Sequence, residues 1–91
     1  MDQQQIINEA IRKFGMDRQI RKSIEEMGEL IVAINHYADG KTTYEELCGE
    51  IADVIIMAKQ LQVMFGVGVD DKIEEKFNRL GNLLGVEYGQ V

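Results

Sequence analysis

The chain has 91 residues, 45% of them hydrophobic and 29% charged, which is typical of a single small globular domain, residues 1–91, and argues against a disordered chain. The formal net charge of −6 argues against a general nucleic-acid-binding protein and against attachment to anionic membranes. No apolar run is long enough to span a bilayer, the N-terminus does not resemble a signal peptide, and Cys48 is the single cysteine, so we expect a cytoplasmic protein.

The first half of the chain predicts two helices separated by Gly15. The first covers Gln3–Phe14, where isoleucine and alanine recur at helical spacing. The second covers residues 18–37, with Asp17 as its predicted N-cap. One apolar face runs along this second helix, formed by Ile20, Ile24, Met27, Ile31 and Ile34.

The third helix is predicted over residues 44–65, where Thr43 and Glu46 have the spacing of a capping box. Its middle, residues 51–58, is apolar nearly all round, which is typical of a helix that is enclosed on several sides. Because so short a chain offers few elements to enclose it, we expect a second subunit to do so.

The fourth helix is predicted to begin with Asp70 or Asp71 as its N-cap and to end at Leu84, and the residues from Gly85 onward are expected to form a short tail. The four predicted helices are joined by short connections. We therefore expect neighbouring helices to pack antiparallel in an all-α bundle.

Acidic residues form two pairs at a spacing of three, Glu26 with Glu29 and Glu50 with Asp53. Glu50 falls inside the apolar stripe of the third helix, where an ionised carboxylate is costly unless a base or a cation compensates it. If the two helices are antiparallel neighbours, four carboxylates converge, and such oxygen ligands suit Mg²⁺ or Mn²⁺. His36, the single histidine, is expected on the opposite side of its helix from Glu26 and Glu29. The alternative is an acidic strip that faces solvent or a neighbouring subunit.

The fourth helix carries a basic strip of Lys72, Lys76 and Arg79, with Asn78 beside it. Bases opposite a metal–carboxylate site would neutralise the charge of a polyphosphate ligand. For Lys72 alone, a salt bridge to Glu75 is the better interpretation.

These segments together resemble a known family. The sequence EEMGEL at residues 25–30, EIADV at 50–54 and KFNR at 76–79 is similar to the MazG-like all-α nucleoside triphosphate pyrophosphohydrolases, whose signature is an ExxE on one helix and an ExxD on the next. The resemblance covers residues 18–87. It implies a four-helix, oligomeric helical bundle, a homodimer or homotetramer, in which helices of two subunits surround each site.

The resemblance also implies an activity and residues for it. Family members split a nucleoside triphosphate between the α- and β-phosphates, which gives the monophosphate and pyrophosphate, and Mg²⁺ is the cofactor. By position, the implied ligands are Glu26, Glu29, Glu50 and Asp53, one of which, Glu26 or Glu29, could instead be the general base. The implied phosphate-binding residues are Lys76, Arg79, Asn78 and Lys22. Glu25 and Glu46 are expected at the surface, or else at the border of the site.

Two alternative functions stay open. Phosphoribosyl-ATP pyrophosphatases of histidine synthesis have similar paired acids, but a Tyr-His pair typically follows their ExxD, whereas here Asp53 precedes Val54 and Ile55. The other alternative is a non-catalytic helical oligomer that acts as a binding module. An interaction protein gains nothing from an acid within the apolar stripe, so Glu50 favours the enzyme.

Overall fold

Four helices make up most of the chain, and the connections between them are short. The computed structural model describes residues 1–89, in which α1 spans Gln3–Phe14, α2 spans Met16–Ala38, α3 spans Tyr44–Phe65 and α4 spans Val67–Leu84. No strand occurs in this range, which confirms the predicted all-α class. The predicted limits of the first and third helices are also confirmed.

Helices α2 and α4 begin earlier than predicted because a single glycine forms the corner before each of them. Gly15 has a φ of 87° and Gly66 a φ of 69°, a conformation that residues with a side chain rarely adopt. The predicted N-caps at Asp17 and at Asp70 or Asp71 are therefore wrong. These residues lie inside the helices, and neither helix start has a side-chain cap.

The start of α3 follows the predicted capping box. The hydroxyl oxygen of Thr43 accepts a hydrogen bond from the backbone N–H of Glu46 at 3.1 Å. The Glu46 carboxylate accepts in turn from the backbone N–H of Thr43 at 3.4 Å and from the hydroxyl of Thr42. These hydrogen bonds satisfy backbone N–H groups that have no acceptor within the first turn of the helix. They also hold the Glu46 side chain in a fixed position.

Helices α2 and α3 form an antiparallel pair that contains most of the tertiary packing of the chain. Gln19, near the start of α2, donates a side-chain hydrogen bond of 2.7 Å to Gln60, near the end of α3, and both residues are buried. Ser23 and Glu26 continue the same buried strip of α2. Met57 is the buried apolar residue of α3, with 5% of its surface exposed.

The apolar face predicted for α2 does not pack on α3. Ile24 is 67% exposed and Ile31 is 63% exposed, because the polar strip that contains Gln19, Ser23 and Glu26 occupies the contact with α3 instead. A single chain therefore leaves this face uncovered.

Helix α4 extends away from the other helices. The chain changes direction by 117° between α3 and α4, and α4 packs against α3 alone, so these two helices are not the antiparallel neighbours that were predicted. The radius of gyration is 16.1 Å, whereas a compact domain of this length would have about 12 Å. Within residues 1–89, the buried apolar side chains are those of Ile7 and Met57.

The predicted tail folds back onto α4. The backbone N–H of Val86 donates to the carbonyl of Gly81 at 2.9 Å, and the ring of Tyr88 stacks on that of Phe77 with 5.3 Å between centroids. The Tyr88 hydroxyl donates to the Glu74 carboxylate at 2.9 Å, and this hydrogen bond raises the pKa of Tyr88.

Among residues 1–89, no single helix has the length and apolar character needed to cross a membrane. Helices α3 and α4 meet those criteria only when they are taken together across their bend.

Candidate functional site

Three glutamates converge where α2 packs on α3, and we call Glu26, Glu29 and Glu50 the acid triad. One carboxylate oxygen from each lies within 4.8 Å of the other two. Glu26 and Glu29 share a strip of α2 because they are three residues apart, which is about one helical turn. Glu50 reaches them from the packed side of α3, in line with the intermediate or buried residues Leu47 and Met57. Its predicted position within the apolar stripe is confirmed.

Two oxygens of the acid triad are buried without a hydrogen-bond partner. Glu26 is 9% exposed, and its Oε2 atom, like Oε2 of Glu50, accepts no hydrogen bond from residues 1–89. A buried, unsatisfied carboxylate oxygen is strongly unfavourable, so native sites pair such an atom with a donor or a cation. Three oxygen donors within one small volume, without histidine or cysteine, fit a hard divalent cation such as Mg²⁺.

Nearby positive charge only partly offsets the acid triad. The Nζ atom of Lys22 lies 3.4 Å from Oε1 of Glu26, but the lysine side chain is 52% exposed, so water screens much of this interaction. Repulsion from Glu26 is the largest cause that raises the pKa of Glu29, followed by desolvation and by the charges of Glu50 and Glu25. The protein alone therefore leaves an excess of negative charge at this position.

Asp53, the fourth predicted ligand, does not join the converging carboxylates. It lies three residues after Glu50 on α3, its side chain is exposed, and its oxygens are not among those within 4.8 Å of the acid triad. The structure thus brings together three of the four predicted acids.

The predicted phosphate-binding residues of α4, Lys76, Asn78 and Arg79, are exposed. Helix α4 follows the C-terminal end of α3, whereas Glu50 lies near the N-terminal end of α3, so the fold of one chain does not bring these residues to the acid triad. Neither Lys76 nor Arg79 forms an ion pair with any residue from 1 to 89, whereas Lys72 pairs with Glu75 at 2.9 Å as expected.

A cleft of about 580 Å³ opens beside the acid triad, between α2 and α3. Its polar lining residues are Glu25, Glu29, His36, Thr42, Glu46 and Glu50. The expectation that His36 lies on the opposite side of its helix from Glu29 is wrong. Seven residues make about two helical turns, so this spacing already contained the signal that places His36 and Glu29 on the same face.

The two acids that were expected at the surface, Glu25 and Glu46, are exposed and also border this cleft. Hydrogen bonds from the Thr42 hydroxyl and then from the Thr43 backbone lower the pKa of Glu46. Glu46 therefore carries a negative charge over the whole neutral pH range and is fixed by the capping box.

Searches against protein-family models, curated proteins and solved structures find no match to this chain.

Proposed function

We propose that the protein is a Mg²⁺-dependent pyrophosphohydrolase of the MazG-like type, which cleaves a nucleoside or deoxynucleoside triphosphate between its α- and β-phosphates and acts in cytoplasmic nucleotide-pool maintenance. The observation that carries the proposal is the acid triad, in which Glu26 and Glu50 each hold a buried carboxylate oxygen that has no hydrogen-bond partner in the described part of the chain. A bound cation would satisfy both oxygens and relieve the repulsion among the three acids.

Each member of the acid triad has its own part in this proposal. Glu26, which is buried, and Glu50, which is partly buried, are the proposed ligands, and Glu29 is the exposed carboxylate that solvent can reach. The bound Mg²⁺, or Mn²⁺ in its place, would polarise phosphate oxygens and make the phosphorus more electrophilic. Glu29 is the group positioned to accept a proton from the attacking water. Asp53, one turn further along α3, is the proposed fourth acid.

Neutralising the polyphosphate requires bases beside the acid triad. Lys22 already lies at its edge, 3.4 Å from Glu26. Lys76 and Arg79, with Asn78 between them, are proposed to reach it from a second copy of the chain, because α4 extends away from the α2–α3 pair of its own chain.

A second copy is also supported by the uncovered apolar faces. Ile24 and Ile31 on α2 and Ile55 on α3 are at least half exposed. A chain of this size that buries so few apolar side chains needs further burial to be stable, and association supplies it. We propose a homodimer or homotetramer in which α4 of one subunit packs beside the α2–α3 pair of another.

Pyrophosphate release from a panel of ordinary and modified nucleoside triphosphates tests the reaction, with Mg²⁺ and with EDTA. We expect release that EDTA abolishes, with the monophosphate as co-product. Glu50→Gln should eliminate it without changing the oligomer, and Glu45→Gln is the matched control, because Glu45 is exposed on α3 outside the acid triad and the cleft.

The same panel separates the alternative functions. Hydrolysis of phosphoribosyl-ATP in preference to every triphosphate would identify the histidine-synthesis enzyme instead. No release from any compound by a folded oligomer, together with a neutral or stabilising Glu50→Leu, would indicate a non-catalytic binding module.

A further inference from the structure

The acid triad accounts for only one end of the cleft between α2 and α3. The other end, which we call the loop-side half, is bordered by Val32, Ala33, His36, Thr42 and Glu46 and lies next to the α2–α3 connection. We propose that the loop-side half binds the nucleoside part of the substrate and selects a base that carries an exocyclic amino group. This inference rests on the proposed function, which places the phosphates at the acid triad.

The size of the whole cleft suits a nucleotide, and the lining of its loop-side half suits the nucleoside part. A volume of about 580 Å³ lies within the range of small-molecule sites, roughly 300–1,000 Å³. Val32, Ala33 and Gly28 provide an apolar and sterically open wall. The flat face of a base can pack against such a wall, while polar groups at the rim of the cleft form hydrogen bonds with the atoms at the edge of the base.

The rim offers acceptors rather than cationic donors. Glu25 and Glu46 border the cleft in addition to two members of the acid triad, and neither lysine nor arginine lines it within residues 1–89. An ionised carboxylate can only accept hydrogen bonds, so it attracts an amino group and repels a carbonyl oxygen. The cleft therefore favours cytosine over uracil and adenine over hypoxanthine, pairs in which an amino group replaces a carbonyl.

Glu46 is the acceptor that is best fixed in place. Its Oε2 atom receives the hydroxyl of Thr42 and the backbone N–H of Thr43, while Oε1 accepts no hydrogen bond from residues 1–89. A carboxylate that is already oriented by the helix cap binds an amino group with little further ordering. His36, whose neutral ring has one donor and one acceptor, lies on the same wall and can bond the adjacent ring nitrogen or carbonyl of the base.

The test compares the α,β-methylene analogues of cytidine and uridine triphosphate, which are not cleaved between the α- and β-phosphates, by calorimetric titration with MgCl₂ present. Turnover of cytidine against uridine triphosphate and of adenosine against inosine triphosphate gives a second readout. Glu46→Gln is the informative variant, because glutamine preserves a capping box while it removes the charge. Glu45→Gln, one residue away and outside the cleft, is its control.

We expect the wild type and Glu45→Gln to bind the amino-bearing nucleotide of each pair about ten-fold or more tightly than its carbonyl-bearing counterpart. Glu46→Gln should reduce this preference to about two-fold. Mg²⁺-dependent binding or turnover without such a preference, or with one that Glu46→Gln leaves unchanged, would overturn this inference and leave the proposed function standing. Absence of any Mg²⁺-dependent binding or turnover would overturn both. Thermal unfolding of Glu46→Gln verifies that its helix start is intact.

Discussion

The side-chain amide of Gln19 donates a 2.7 Å hydrogen bond to the side-chain carbonyl of Gln60 inside the contact between α2 and α3. The two residues are 41 positions apart and both are buried, so their bond fixes how α2 is aligned against α3. This alignment also determines that Glu26 and Glu29 meet Glu50. The pair is a positioning element for the acid triad, although it lies outside it.

Replacing one member of this pair should be more harmful than replacing both. Gln60→Leu leaves the amide of Gln19 buried without a partner, so we expect a loss of about 1–3 kcal/mol in the free energy of unfolding. The double variant Gln19→Leu/Gln60→Leu should recover most of that loss. Urea unfolding of both, with Gln4→Ala in the exposed Gln4–Asn8 pair as control, measures the difference. Additive losses would contradict the coupling.

Binding of Mg²⁺ should stabilise the protein through the acid triad. At a concentration 100 times its Kd, a ligand that binds only the folded state adds about 2.7 kcal/mol to the free energy of unfolding. Thermal unfolding with Mg²⁺ and with EDTA should show this gain in the wild type and in Glu45→Gln, but not in Glu50→Gln. An equal gain in Glu50→Gln would place the cation elsewhere.

Glu29→Gln should have opposite effects with and without the cation. In EDTA we expect the variant to be more stable than the wild type, because repulsion from Glu26 disfavours the charged Glu29 in the folded state. With Mg²⁺ the order should reverse, since the negative charge of Glu29 then attracts the cation that is bound beside it. A variant that is less stable under both conditions would show that Glu29 has a structural role instead.

The proposed contribution of α4 from a second subunit can be tested by mixing two inactive variants. Glu50→Gln damages the acid triad and Arg79→Ala damages the basic strip, so each should be inactive alone. If the two elements of one site come from different chains, a mixed dimer regains one intact site, and random assortment gives about a quarter of wild-type activity. Recovery should require dissociation and reassembly of the mixture. A fully reassembled mixture that remains inactive would mean that both elements act within one chain.

Acid should weaken the start of α3 through Glu46. Because the folded state lowers the pKa of this carboxyl, its contribution is fully present above the unfolded pKa of about 4 and is lost as the pH falls through the folded value. Thr42→Val removes the hydroxyl that donates to Glu46, which is the largest cause of the lowered pKa. The free energy of unfolding of this variant should therefore fall less steeply than that of the wild type between about pH 5 and pH 3. Urea unfolding across this range gives the two slopes, and parallel curves would contradict the assignment.

Helical periodicity predicts two of the main features, the four helices and the position of Glu50 among apolar neighbours. The residue types of Thr43 and Glu46, three positions apart, predict the capping box. Helical periodicity does not predict which face of α2 packs within the chain. An apolar stripe has the same sequence pattern whether its own chain or another subunit covers it. The polar strip with Gln19 and Glu26 lies there instead.

Features that depend on the connections were harder to predict. The corner at Gly66 uses a single residue, so α4 begins earlier than predicted. The angle between α3 and α4 cannot be predicted from helical periodicity, because it depends on the backbone conformation of that corner. Lys76 and Arg79 share a helix face, as their spacing indicates, but spacing alone does not show which element that face meets. His36 could have been placed correctly, because its distance of seven residues from Glu29 is about two turns.

The open shape of the chain has a consequence for how quickly the protein reaches its working form. Helices α2 and α3 are consecutive in the chain and joined by a short connection, and pairing of this kind forms early and at a rate independent of concentration. If the uncovered faces of α2 and α3 are buried by a second copy, the later step requires an encounter between two chains. Refolding should then show a rapid phase with a fixed rate, followed by one that accelerates with protein concentration.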